Sequence, residues 1–174
     1  PAVMRAYAPD YLSTAELDKR IRANSAKQAL VNAARAAELN PLEGPRMEFP
    51  REDDGRLAGL LSKAQQQAAV LEPKIAQLHG VLQTGRGDRP KIRPEEKRWQ
   101  AGYDLAMGRV LAAKVRTEAY NGMLAYAKRG MTFKNPKSDT WRLVPSDEVA
   151  MSQVGAQVSK QADEAREFLN RVVA

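Results

Sequence analysis

Apolar residues in this chain recur at the spacing of an α-helix. Between positions 57 and 82 they fall at Leu57, Leu60, Leu61, Ala64, Ala68, Leu71, Ile75, Leu78 and Leu82. Steps of three and four place them on one face of a helix with about 3.6 residues per turn. The apolar set agrees with the spacing. Of 174 residues, 28 are Ala and 16 are Leu, against only 3 Ile. Ala and Leu are the strongest helix formers among apolar residues, whereas Ile, Thr and the aromatics favour strands. The chain is therefore expected to be all-α. It should form either an irregular helical bundle or a helix-hairpin array of tetratricopeptide type, with about five to six helices, one of them very long.

Start and stop signals divide the chain into helices at about 14–23, 25–39, 54–83, 95–129 and 147–173, within a single helical domain spanning 1–174. Ser13 or Thr14 can cap the first helix and Ser25 the second. Asn40-Pro41 ends the second, because a residue before Pro avoids the helical region. The loop from Pro41 to Pro50 should be briefly extended at Met47-Glu48-Phe49, with Phe49 in the core. Asp53 or Asp54 opens the third helix, which Pro73 should kink or divide by removing one hydrogen bond. Thr84 to Pro94, with two Gly and two Pro, reads as a long exposed loop. The longest helix starts at Glu95-Glu96 and carries two adjoining apolar stripes, one through Trp99, Tyr103 and Tyr120, the other through Met107, Leu111 and Met123. Gly102, Gly108 and Gly122 each cost about 1 kcal/mol in helix propensity and fit where another backbone crosses closely or where the helix breaks. Trp141 to Val144 is a candidate extended segment, and Ser146-Asp147-Glu148 a cap for the last helix. The numbering opens at Pro1 with no initiator Met, so the chain is expected to be a piece of something longer.

The absence of Cys excludes disulfides, iron–sulfur clusters and thiolate zinc sites. With His79 the only histidine, a multi-histidine metal site is excluded too. No apolar run approaches the ~18 residues needed to span a bilayer, and no signal peptide is visible at the start. No catalytic, cofactor-binding or metal-ligating constellation emerges, so none is assigned. Arg86-Gly87-Asp88 spells an adhesion tripeptide, but it is also a cheap turn sequence.

The net charge of +7 is unevenly spread: residues 86–142 hold 14 basic and 6 acidic side chains. Arg86, Arg89, Lys91 and Arg93 cluster before the long helix, and Lys134 and Lys137 after it. These six are the candidate partner-binding residues. An anionic partner (nucleic acid, lipid headgroups or an acidic protein) is one reading of the surplus; a solvated, mixed-charge surface is the other. Asp104 falls beside the apolar face of the long helix and is expected to make an internal polar contact with Arg142 or Arg109. His79 reads as a hydrogen-bonded structural residue.

Four segments carry a family likeness: Arg98-Trp99-Gln100-Ala101-Gly102-Tyr103-Asp104-Leu105-Ala106-Met107-Gly108-Arg109-Val110-Leu111-Ala112, then Tyr120-Asn121-Gly122-Met123-Leu124-Ala125, Trp141-Arg142-Leu143-Val144-Pro145-Ser146, and Leu169-Asn170-Arg171-Val172-Val173. Together they resemble the helical C-terminal region of planctomycete-type von Willebrand factor A-domain proteins. The likeness covers roughly the second half of the chain. The A domain's Asp-x-Ser-x-Ser motif is absent, so the resemblance carries no metal site. It implies a bacterial protein, a role in assembly or interaction rather than a reaction, and an internal contact for Asp104, Trp141 and Arg142.

These observations lead to a non-enzymatic protein-interaction or scaffolding domain, with a protein partner or self-association as its business. The alternative is polyanion binding through the basic 86–142 region. A third reading is a small-ligand pocket near Tyr103, Asp104 and Trp141.

Overall fold

The computed structural model describes residues 7–9, 11–39, 44–130, 132, 135, 137–144 and 155–173. Five α-helices, one 3₁₀ helix and two short strands occur among them: α1 (Thr14–Arg22), α2 (Ser25–Leu39), β1 (Glu48–Pro50), α3 (Asp54–Gln83), the 3₁₀ helix (Arg86–Lys91), α4 (Lys97–Lys128), β2 (Thr140–Arg142) and α5 (Ala156–Val173). The fold is all-α. Helices of 9, 15, 30, 32 and 18 residues share no repeat length, so the architecture is an irregular bundle rather than an array of equal hairpins. Of the last helix expected at 147–173, positions 147–154 and the Ser146-Asp147-Glu148 cap lie outside the described residues; Gly155, with φ +81°, is not helical, and α5 begins at Ala156.

The frame is an antiparallel hairpin of α3 and α4, each about 45–48 Å long. Its two arms meet near the turn, where the Tyr103 hydroxyl donates to the Leu82 carbonyl at 2.7 Å, and again far from it, where Lys128 Nζ donates to Gln65 at 3.0 Å. Asp53 caps α3, its carboxylate accepting the Arg56 N–H at 2.8 Å. Of the two outcomes expected at Pro73, division does not occur: α3 is one helix from Asp54 to Gln83, the range expected. Pro73 is exposed, and apolar side chains on both sides of it pack against α4. That burial on both sides outweighs one lost backbone hydrogen bond.

Two cores form along the hairpin. At the turn end, Ala26, Ala29 and Ala33 of α2, Leu78 and Leu82 of α3, Tyr103, Met107 and Leu111 of α4, and Ala165 and Phe168 of α5 pack together with Ile92. The small alanines let α2 approach closely. At the open end, Phe49, Leu57, Leu61, Ala64 and Ala68 pack against Tyr120, Leu124 and Ala127. Strands β1 and β2 close this end as an antiparallel ribbon in which Phe49 pairs with Trp141 and Glu48 with Arg142. Phe49 is buried as expected. Both extended segments anticipated from the sequence are therefore strands of one ribbon.

Glycines mark the close crossings. A Cβ on Gly108 would sit 2.7 Å from Leu169 and 3.3 Å from the Ala165 carbonyl, so α4 and α5 touch there with no room for a side chain. A Cβ on Gly85 would fall 2.5 Å from the Ala26 Cα, where the end of α3 meets α2. Among the described residues, no helix is long and apolar enough to cross a membrane.

Candidate functional site

The segment read from the sequence as an exposed loop is instead the polar hub of the turn end. Residues 86–91 coil into a 3₁₀ helix, and Gly85 and Ile92 on either side are buried. From this coil, side chains reach three different helices.

Asp88 reaches α2. Its Oδ2 accepts the Ser25 hydroxyl at 2.7 Å and the Ser25 N–H at 3.2 Å, while Lys91 donates to Oδ1 at 2.7 Å. Asn24 also donates to the Asp88 carbonyl at 3.1 Å. The expected Ser25 cap is thus corrected. Asn24 accepts the N–H groups of Ala26 and Lys27, and Ser25 hands its own hydrogen bonds to Asp88. A carboxylate from a distant segment therefore sits at the positive end of α2. Hydrogen bonds from Lys91 and Ser25 hold the Asp88 carboxyl down to about 2.

Arg89 reaches α4. Its guanidinium grips both oxygens of Asp104, with Nε donating to Oδ1 at 2.9 Å. Asp104 is fully buried. The expected partner was Arg142 or Arg109; neither is used. Arg142 lies in the ribbon at the other end of the hairpin and meets Glu48 at 3.3 Å, and Arg109 is exposed. The correction follows from register. Asp104 lies on the turn-end half of α4, one residue from Tyr103, whereas Trp141 packs on the opposite core and Arg142 is exposed beside it in the ribbon. Binding to Asp104 raises the Arg89 pKa further above its ordinary value.

Arg86 reaches α5, pairing with Glu164 at 2.6 Å and lying over the Phe168 ring with Arg171 on the same ring. Arg93 completes the set by meeting Glu96 at 3.3 Å. Glu96 is also bound by Lys27 at 2.5 Å, in a pair whose two side chains are almost wholly buried, and Lys27 lies over Trp99. Burial alone would raise the Glu96 carboxyl, but bonds from Arg93 and Lys27 leave it below its ordinary value.

Arg86, Arg89, Lys91 and Arg93 were candidates for contact with a partner. The structure brings them together and turns each toward an internal carboxylate. Lys137 is exposed near the ribbon, well away from them, and Lys134 lies outside the described residues. Two groups of consequence, Lys27 and Glu96, had no place among the sequence candidates. The one available signal was a lysine beside the apolar positions Ala26, Ala29 and Ala33 of α2. His79 is half-buried and shares a 3.0 Å contact with Gln83; burial first, then the nearby Lys114, lowers its pKa.

Two surface grooves lie at the open end. One of about 620 Å³ follows the ribbon along Arg46, Met47, Arg142 and Val144; another of about 280 Å³ lies beside Gly44, Arg46 and Lys63. Neither touches Tyr103, Asp104 or Trp141, the place considered for a ligand pocket. Among the described residues, no group of three or more His, Asp or Glu could hold a metal ion.

Fold and polar hub together define an all-helical protein whose charged turn serves as a clasp between helices. No family model matches the chain, and no curated protein or solved structure matches it either.

Proposed function

We propose that this protein is a non-enzymatic helical domain for protein interaction or scaffolding, and that it serves within a larger protein or assembly of von Willebrand factor A-domain type. The observation that carries the reading is the fate of its reactive groups. Asp88, Asp104, Glu96, Lys27 and Arg89 are all consumed in contacts between helices. Tyr103 spends its hydroxyl on a backbone carbonyl. Among the described residues, long helices with solvent-facing sides remain for the outside, which suits a holder better than a catalyst.

At the turn, the polyanion reading has less to rest on for the same reason. An incoming phosphate would compete with Glu164 at Arg86, Asp88 at Lys91 and Glu96 at Arg93, and would have to displace buried Asp104 from Arg89.

The test is affinity capture with the intact chain, followed by calorimetry between purified components. A protein partner with saturable binding is expected. Turnover of any substrate that Asp104→Ala or His79→Ala abolishes in a folded protein would defeat the proposal. So would tight nucleic-acid binding that weakens steeply with salt.

A further inference from the structure

The basic side chains of the turn, Arg86, Arg89, Lys91 and Arg93, pair with carboxylates of this chain, but three arginines of α4 do not. Arg98, Arg109 and Arg116 are exposed, and among the described residues no ion pair or hydrogen bond holds their guanidinium groups. At about 100° per residue, steps of eleven and seven return to within about 20° of the starting direction. The three therefore stand in a straight row about 27 Å long. Leu105 falls on the same row and is 41% exposed, a large apolar side chain left in solvent. Ala101 and Ala112 lie to one side of it and are half-buried, Ala112 against the turn-end core. The only carboxylates of α4 are Asp104, which lies under Arg89, and Glu118, which meets Lys114. Nothing acidic on this helix neutralises the row.

We propose that this face of α4 receives an acidic amphipathic helix from a partner protein, with an apolar residue beside Leu105 and carboxylates against Arg98, Arg109 and Arg116. The inference rests on the interaction-domain reading and names the partner's chemistry. Spacing favours a helix over nucleic acid. A duplex carries a charge every ~3.4 Å along each strand, so arginines about 16.5 and 10.5 Å apart with a leucine between them leave most phosphates unmatched. A partner helix lying alongside repeats the same rise and sets its carboxylates at the same intervals. No described helix of this chain carries three carboxylates at that spacing, so a second copy is not the complement. Such pairs contribute chiefly specificity and association rate, with the apolar contact supplying the rest.

The test pairs the intact chain with a synthetic labelled peptide long enough to lie beside Arg98 to Arg116. The peptide carries a Leu seam and Glu at intervals of seven and eleven, and is made in both chain directions. A scrambled peptide of the same composition is the control. Fluorescence anisotropy should show binding at least about tenfold tighter than the scrambled control. Arg109→Glu, with an unchanged thermal melt, should lose about tenfold, and a peptide with Arg in place of the facing Glu should restore it. Equal binding of the scrambled peptide, no binding in either direction, or failure of the charge reversal would overturn the site. Tighter binding of a DNA duplex or of phosphatidylserine vesicles, lost in Arg109→Glu, would overturn it as well. A captured partner that binds the Arg98→Ala, Arg109→Ala, Arg116→Ala triple variant as tightly as the parent removes the α4 site alone, leaving the interaction-domain reading intact.

Discussion

Arg89 and Asp104 are fifteen residues apart in sequence, yet their side chains meet at the centre of the turn end. A buried carboxylate stripped of its only ion-pair partner is expensive, whereas replacing both charges by apolar groups is close to neutral. Arg89→Ala is therefore expected to cost about 3–5 kcal/mol in urea unfolding, and Arg89→Met combined with Asp104→Leu much less. Equal losses for the single and double variants would show that the pair does not act as one unit. Gly85 and Gly87 give a second comparison inside one coil. A Cβ on Gly85 meets the Ala26 backbone, while one on Gly87 meets nothing within 4 Å. Gly85→Ala should destabilise by about 1–3 kcal/mol and Gly87→Ala by close to nothing. Identical melting temperatures would disprove the close approach of α3 to α2. Asp104 was legible in the sequence as a carboxylate beside an apolar stripe. Its partner was not, because which arginine reaches it depends on how a Gly-Pro-rich turn coils, and no local pattern specifies that.

Helix boundaries were legible where the chemistry is local. The Asp53 cap and the period of α3 are both written within a few residues. The cap of α2 was read only in part, because Asp88 arrives from another segment. Pro73 leaves both a kink and a division open in the sequence, because the local cost is visible there while the burial on both sides is not; the single helix 54–83 holds. The charged groups that join elements also set the pH response. Asp88, at about 2, and Glu96 both bind protons less readily in the folded protein than in the unfolded chain, and so does His79. Their contribution is complete above the ordinary His value of 6.5 and fades as pH falls, with the carboxylate part leaving between 4.5 and about 2. Asp88→Asn should flatten the lower part of that loss in denaturant midpoints measured across pH; an unchanged slope would contradict the cap. Tyr103 acts at the other end. Burial pushes its phenol up to about 12 from 10.0, so stability should be intact below pH 10.0 and decline above it. Tyr103→Phe should remove that alkaline decline while losing about 1 kcal/mol at neutral pH for the missing bond to Leu82.

Across the whole molecule, one hairpin threads two separate cores. The turn end is wrapped by α2 and α5 and bolted by ion pairs; the open end is closed by three-residue strands resting on Phe49. Phe49→Ala should cost about 3–5 kcal/mol. Hydrogen exchange should speed up at Leu57–Ala68 and Tyr120–Ala127 while Tyr103–Leu111 stays protected. Uniform acceleration along α4 would mean that the two cores open as one. The Arg86-Gly87-Asp88 tripeptide belongs to the bolted end. Its arginine is held by Glu164 and both oxygens of its aspartate are occupied. A receptor on a cell surface that grips this tripeptide finds it locked in the native protein and free once the bundle melts. Cells spreading on a coat of this chain would therefore be reporting denatured molecules on the plastic.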